Sequence, residues 1–265
     1  MEKLYDLTAE AQVVLPPCAS ISPRAEVGPV SVRAELATGR QHDRVFNIGM
    51  AIAILAIALV AFTTGFLRTD LGLKMRFPWV QAHAVTFVGW LLLFFTQTVL
   101  VASRLLRVHR RLGIAAAVLA SVMALLAVVS AVDSFRTSGV SLGFASLLLF
   151  AVPHVDMMIF APLVMAGLVY RRQPESHKRL MLLATISLLD AVTSRLPMLW
   201  SLWSKAHFLV LDLFVLIAVA YDLIARGRVH RANVWGGLAI LILPPAAEPA
   251  WYFLKALVQA QAQMP

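Results

Sequence analysis

Long apolar segments alternate with short polar stretches between residues 46 and 257. Each apolar segment has close to the ~20 residues that an α-helix needs to cross the hydrocarbon core of a bilayer. The pattern therefore predicts an all-α fold, a polytopic membrane helical bundle of about seven transmembrane helices. The predicted spans cover residues 46–67, 77–102, 112–132, 142–170, 180–200, 208–225 and 234–254.

The last span differs from the others because prolines surround an acidic residue. Pro244, Pro245 and Pro249 lie on either side of Glu248. Proline removes a helical hydrogen bond and clashes with the preceding turn. We therefore expect this span to be kinked or broken.

Composition indicates the class of protein, and the distribution of charge indicates its orientation in the membrane. The chain is 60% hydrophobic and 14% charged, with a mean hydropathy of +0.80, which excludes an ordinary soluble domain. Its net charge of +9 would suit a nucleic-acid-binding protein, but membrane proteins concentrate lysine and arginine in cytoplasmic loops. With the N-terminus inside, sixteen basic residues fall in predicted cytoplasmic segments and six in predicted external ones. The external six are Arg68, Lys74, Arg76, Arg136, Lys205 and Lys255.

This bias predicts a membrane protein with a cytoplasmic N-terminus and an external C-terminus. The expected partners are the lipid bilayer and, at the cytoplasmic loops, anionic lipid headgroups, with no nucleic acid. Residues 1–45 lack sustained apolar periodicity and are predicted to be a loosely ordered cytoplasmic tail. Residues 46–257 form the predicted bundle, and residues 258–265 a short external tail.

Polar residues inside the predicted spans outline a candidate site. An ionisable side chain at membrane depth costs at least ~2.5–3.5 kcal/mol unless it faces the bundle interior. The predicted intramembrane polar site comprises His83, Gln97, Asp156, Asp190, Arg195, Asp212 and Glu248.

The second span carries a polar stripe. His83, Trp90, Gln97 and Arg104 recur every seven residues, and each heptad drifts only about 20° around a straight helix. All four are therefore expected on one face. That face either serves the function or, in the alternative interpretation, only hydrogen-bonds to neighbouring helices.

An ionic cluster is expected in the outer half of the bundle, around His83, Asp156, Arg195 and Asp212. Arg195 is expected to pair with Asp156 or Asp212, and a purely structural ion-pair lock remains an alternative role. His154 and Asp156 are about 200° apart on a helix. We expect Asp156 to be the one that faces inward.

Three histidines stand in basic contexts on the predicted cytoplasmic side: His109, His177 and His230. Each lies at or near the end of a span. They are either polar residues at the level of the lipid headgroups or ligands of a metal or a haem, since histidine commonly binds both.

Two strings of the chain also carry a resemblance. The segments HAVTFVGWLLLFFTQTVLVASRLLRVHRRLG and RRQPESHKRLMLLATISLLDAVTSRLP resemble a group of uncharacterised bacterial polytopic membrane proteins with a domain of unknown function. The resemblance covers most of residues 77–237 and implies a helical bundle, without an activity. The matching positions are His83, Gln97, Arg104, His109, His177, Met181 and Arg195, and the ending YDLIARGRVHRANVWGG adds Tyr221, Asp222, His230 and Gly236. Because the group is bacterial, the resemblance also implies a location in the bacterial inner membrane.

A weaker similarity connects the chain to the ascorbate-reducible dihaem cytochromes b. It implies that haem b is held by two pairs, His83 with His154 at the outer side and His109 with His177 at the inner side. Two points stand against it. His109 and His177 lie close to the water, and His154 is expected to face away from the core.

Three classes of function remain open. A redox protein would use the histidines as haem or metal ligands, and this class is placed slightly ahead. An ion- or proton-coupled transporter would use Asp156, Asp190, Asp212 and Glu248 as titrating groups. A non-catalytic accessory or assembly subunit of a membrane complex would use the polar residues only as internal locks. Whether the protein is an enzyme is left open.

Overall fold

The computed structural model describes residues 29–66, 78–137, 155–193, 196 and 206–262, and these residues are helical apart from short connections. The described part of the chain contains no strand, so the all-α prediction holds there. Its α-helices are α1 (Pro29–Phe66), α2 (Pro78–Ala102), α3 (Leu106–Thr137), α4 (Val155–Val169), α5 (Pro174–Ser187), α6 (Leu189–Thr193), α7 (Ala206–Arg226) and α8 (Arg231–Ala262). A 3₁₀ turn at Tyr170–Arg172 connects α4 to α5.

Four of these helices contain segments long and apolar enough to cross a membrane. They coincide with the first, second, third and sixth spans predicted from the sequence, which supports a membrane protein. The predictions for 142–170 and 180–200 fall partly outside the described residues, so a total of seven crossings stays a prediction. The four segments are Gln41–Thr64, Gln81–Ala102, Leu106–Val129 and Phe208–Arg226.

Two helices extend further than the sequence pattern indicates. Helix α1 begins at Pro29, so residues 29–45, predicted as part of a loose tail, are helical. Proline suits the first position of a helix because its backbone is already set and its missing N–H would have no partner there. Helix α8 runs without a break past all three of its prolines, because a membrane helix can continue past proline when neighbouring groups satisfy the freed carbonyls.

Helix α5 lies at the centre of the packing. Its residues from Leu182 to Ser187 are all buried, and Trp90 of α2 packs nearby with only 2% of its surface exposed. The Trp90 indole donates a 3.3 Å hydrogen bond to the Thr185 hydroxyl and meets the Phe160 ring edge to face at 4.8 Å. Trp90 therefore ties α2 to both α4 and α5.

Two glycines bring other helices close to α5. A Cβ atom added at Gly167 of α4 would come within 2.8 Å of Met181 Sδ, and one at Gly236 of α8 within 2.7 Å of Leu183 Cδ1. Small residues allow such close approach between membrane helices. The opposite faces are apolar and open, with Val85 and Ile114 each 70% exposed, as expected of surfaces that face lipid.

The polar stripe predicted on α2 ends sooner than expected. His83, Trp90 and Gln97 lie on α2, but the helix ends at Ala102. Arg104 follows in the left-handed backbone region with φ of 61°, and its side chain is exposed. The reversal is closed by a 2.9 Å bond from the Leu105 N–H to the Leu100 carbonyl, so Arg104 belongs to a turn and not to the stripe.

Candidate functional site

One end of the bundle gathers polar residues from five helices. His109 at the start of α3 meets His177 at the start of α5, with ring centroids 6.3 Å apart. Lys178 of α5 contacts Asp43 of α1 at 2.7 Å. Further bonds described below bring in the end of α7 and the start of α8. We call this part of the molecule the arginine end, after the basic residues around it.

The sequence places the same segments together on the cytoplasmic side. The structure brings their helix ends to one end of the bundle, as that prediction requires. Which side of the membrane this end faces stays a prediction.

The histidine pair has a defined hydrogen-bonding pattern. His177 Nδ1 lies 2.8 Å from the Gly167 carbonyl oxygen. A carbonyl can only accept, so Nδ1 must carry the proton and donate it. In a neutral ring this leaves Nε2 of His177 with a free lone pair, which is the form of histidine that binds metals.

Gln97 of α2 lies next to His109 of α3. The backbone of Gln97 is within hydrogen-bonding reach of the His109 imidazole, and its side-chain Nε2 lies near Gly113, one turn further along α3. Two side-chain atoms, Gln97 Oε1 and His109 Nδ1, are buried without a hydrogen-bond partner among the described residues. Buried polar atoms are rarely left this way, and those that are call for an explanation.

The His109 and His177 pair offers two imidazole donors. Within the described residues, no three histidine, cysteine, aspartate or glutamate side chains come together as a metal site. Protein sites for a bare transition metal use three or four ligands, whereas haem iron needs only its axial ones. Because a metal–imidazole bond is about 2 Å long, two rings on opposite sides of one metal have centroids roughly 6 Å apart. The 6.3 Å between the His109 and His177 centroids matches that separation.

A buried ion pair joins α5 to α7. Arg179 and Asp222 are 5% and 1% exposed, and Arg179 Nε donates to Asp222 Oδ2 at 3.0 Å while its NH2 group donates to Oδ1. Asn233 of α8 adds a 2.8 Å bond to the same carboxylate. Burial alone would lower the pKa of Arg179, but the hydrogen bonds to Asp222 and Glu175 outweigh it and raise that pKa. The pair is therefore ionised and fully hydrogen-bonded.

Asp43 holds α1 to this network. Its carboxylate accepts hydrogen bonds from Lys178 at 2.7 Å, from the Tyr221 hydroxyl at 2.6 Å and from Arg226 at 2.8 Å. One turn further along α1, the Phe46 ring stacks on Tyr221 with centroids 3.8 Å apart. A single carboxylate thus connects α1 with α5 and α7.

Glu175 completes the outer part of the network. Its side chain is 51% exposed and contacts Lys178 and Arg179 at 2.8 Å and Arg226 at 3.1 Å. Burial raises the pKa of this carboxyl, but hydrogen bonds from Arg179 and Lys178 outweigh that effect and lower it overall.

His230 precedes α8 and acts as its cap. Its backbone N–H donates to Asp222 at 3.1 Å, and its Nδ1 accepts the backbone N–H of Ala232 at 3.1 Å. Burial and the nearby charge of Arg179 lower the pKa of the imidazole. Protonation at Nδ1 would remove the acceptor and place a positive charge at a helix N-terminus, where it is unfavourable.

The residues of the predicted intramembrane site are placed only in part. His83, Asp156 and Asp190 are partly buried, and each takes part in an interaction. The Asp156 carboxylate accepts the Met157 N–H at 2.8 Å in the first turn of α4. Asp212 is partly buried on α7, and the described residues include no hydrogen-bond or ion-pair partner for it.

Three other predicted residues are not placed. His154 and Arg195 lie outside the described residues, and only the backbone of Glu248 is described. The ionic cluster around Arg195 and the outer histidine pair therefore stay predictions.

The ion-pair network is absent from the sequence-based site. Asp43 belongs to the segment predicted to be a loosely ordered tail. Lys178, Arg179 and Arg226 enter the sequence-based prediction only as positive charges that indicate the membrane topology. One local signal was available, since Glu175 and Arg179, like Asp222 and Arg226, are four residues apart on helices, a spacing that favours ion pairs.

The chain matches no family model, no curated protein and no solved structure. The two resemblances noted in the sequence therefore remain expectations, and any function has to be argued from the described residues.

Proposed function

We propose that this integral membrane protein binds haem b through His109 and His177 and takes part in electron transfer. One observation supports the proposal: the two imidazoles come from different helices and their ring centroids lie 6.3 Å apart, a separation that ligation to one iron allows. A bound haem would supply one-electron redox chemistry, and its potential would depend on the axial ligands and their hydrogen bonds.

The surrounding residues fix the His177 ring in the form that this role needs. Ligating histidines nearly always donate their other ring N–H to a carbonyl or carboxylate, which sets the tautomer and the ring orientation. His177 already donates from Nδ1 to the Gly167 carbonyl at 2.8 Å. Gly167 packs closely against Met181 on the next turn of α5, so this carbonyl is held in place.

Gln97 is the matching positioning residue for His109. Its Oε1 and His109 Nδ1 are both buried without partners in the described part of the chain. The two atoms do not bond to each other in this structure. A ring position in which Nδ1 donates to Gln97 Oε1 would leave Nε2 of His109 with its lone pair for ligation, in place of its contact with the Gln97 backbone. The bond would give His109 the same kind of Nδ1 hydrogen bond that His177 donates to the Gly167 carbonyl.

The Gln97 role is tested with Gln97→Leu and Gln97→Glu. Leucine should shift the reduction potential or the band positions of the bound haem without abolishing binding. Glutamate, a stronger acceptor, should lower the potential. If both variants have the same spectra and reduction potentials as the parent, Gln97 does not position His109.

An ion- or proton-coupled transporter is the second candidate, favoured by the ion pairs at the arginine end. Asp43, Glu175 and Asp222 tie α1, α5 and α7 together there, as expected of a closed inner gate. Asp212 would be the titrating group inside the bundle. In that case the purified protein should be colourless, and Asp212→Asn should abolish a pH-dependent flux in vesicles, while Ser121→Ala, at an exposed position of α3, should keep it.

A further inference from the structure

The arginine end has many more cations than its carboxylates can neutralise. From Gln41 onward, the described residues at this end include three carboxylates, Asp43, Glu175 and Asp222. All three are bonded to Lys178, Arg179 or Arg226. Eight further arginines are exposed and have no carboxylate partner among the described residues. They are Arg104, Arg107, Arg110, Arg111, Arg171, Arg172, Arg228 and Arg231.

These arginines stand at the level where lipid headgroups lie. Arg104 sits between the ends of two candidate spans, Gln81–Ala102 and Leu106–Val129, and Arg228 follows the end of a third at Arg226. With a rise of about 1.5 Å per residue, Arg107, Arg110 and Arg111 are within roughly 8 Å of the start of α3. The backbone carbonyls of Leu106 and Leu168 take up one donor each from Arg110 and Arg171, which leaves most guanidinium donors available.

Arginine predominates over lysine at this end. The rule that positive residues stay inside counts lysine and arginine alike. Yet eleven of the twelve basic residues placed here from Gln41 onward are arginines, and the one lysine, Lys178, is bonded to carboxylates. Of the six basic residues predicted to be external, three are lysines. Over the whole chain, eighteen of the 23 basic residues are arginines.

Phosphate is a partner that suits exposed guanidinium groups. Guanidinium presents a planar fork that binds phosphate oxygens through two hydrogen bonds, whereas an ammonium acts as a point charge. We propose that the eight exposed arginines bind the phosphates of anionic phospholipids in the adjoining leaflet and so gather these lipids around the arginine end. The proposal is independent of haem binding.

The test compares charge with guanidinium geometry. The full chain is reconstituted in nanodiscs of phosphatidylcholine mixed with phosphatidylglycerol, and the lipids retained after detergent extraction are counted by native mass spectrometry. The test variant replaces all eight arginines with lysine, which keeps the net charge. The matched control is Arg44→Lys, a partly buried arginine at the same end.

The parent and the control should retain phosphatidylglycerol in excess over its share of the nanodisc. The eight-lysine variant should retain at least about threefold less. Equal retention by that variant would overturn the proposal, because charge alone would then suffice. A parent that shows no preference for phosphatidylglycerol would overturn it as well.

Two additions keep the test decisive. If the eight-lysine variant does not fold, the variant with lysine at Arg104, Arg107, Arg110 and Arg111 replaces it, and it should show part of the same loss. Soluble glycerol phosphate is added as a competitor to distinguish lipid from free phosphate. Retention that survives this competitor supports a lipid-headgroup surface, whereas displacement at low concentration would show a site for soluble phosphate and contradict the proposal.

Discussion

Arg179 and Asp222 form a buried, two-pronged ion pair that fastens the central helix α5 to α7. Both side chains are almost completely removed from solvent, at 5% and 1% exposure. Burying two charges is costly, so the pair is favourable only because additional bonds, such as the one from Asn233 at 2.8 Å, satisfy the remaining oxygen. Breaking it should therefore have a large effect.

Removing either partner should strongly destabilise the protein. Arg179→Ala leaves the buried Asp222 with Arg226 at 3.2 Å as its remaining charged partner, and Asp222→Asn leaves Arg179 with only the half-exposed Glu175. The expected loss is about 3–5 kcal/mol in each case. The matched control is Glu175→Gln. Glu175 bonds to the same arginine but is half exposed, so its loss should cost under about 1 kcal/mol. Thermal unfolding in detergent measures all three, and equal melting temperatures for Arg179→Ala and Glu175→Gln would contradict the prediction.

Asp43 and Tyr221 should be energetically coupled. Tyr221→Phe removes one neutral donor to the carboxylate and should cost about 1 kcal/mol. Asp43→Asn should cost more, because it also loses the charge that binds Lys178 and Arg226. In the double variant the two effects should be less than additive, with a coupling of about 0.5–3 kcal/mol. Strict additivity would mean that the 2.6 Å hydrogen bond contributes nothing to stability.

His230 should make the protein less stable in mild acid. Its pKa is lowered in the folded protein, so the folded state binds fewer protons than the unfolded state between that value and the ordinary pKa near 6.5. The contribution of His230 to the free energy of unfolding is complete above about pH 6.5, and it is lost as the pH falls below that value. Melting temperatures between about pH 7.5 and 5 should drop less steeply for His230→Gln than for the parent. His42→Gln, an exposed histidine on α1, is the control and should follow the parent.

The topology can be tested with reporter fusions. Fusions after Arg111, Arg179 and Arg231 should report the cytoplasm, because positive charge is concentrated in these segments. Fusions near Arg136 and at Pro265 should report the outside. A cytoplasmic C-terminus would mean that one of the seven predicted spans does not cross the membrane. The span predicted at residues 234–254 would be the first one to reassign.

The hydrophobic pattern was sufficient for the helical class because apolar stretches of membrane length have few other interpretations. The helices and four of the predicted spans follow from it. His177 contacts His109, and the haem pairing that the resemblance implies for these two residues stays a prediction. The start of α1 at Pro29 was missed, since helices outside the membrane lack a long apolar signal.

The ion-pair network was beyond the sequence for a different reason. Asp43 lies 135 residues from Lys178 and 183 from Arg226. A single chain offers no indication of which distant charges meet. Likewise, the position of Arg104 in a heptad predicted a helical stripe, but the helix ends before it. The reversal between α2 and α3 depends on hydrogen bonds that hydrophobic spacing does not encode.

The central claim, haem ligation by His109 and His177, is tested most directly by the haem-to-protein ratio. It is taken from the absorption spectrum of the full chain purified from haem-replete cells. The parent should show a Soret band that sharpens and shifts on reduction with dithionite. His109→Ala and His177→Ala should each reduce the ratio by one haem, while His230→Ala, a histidine at the same end, should keep the parent value. A colourless parent, or an unchanged ratio in both pair variants, would contradict the account.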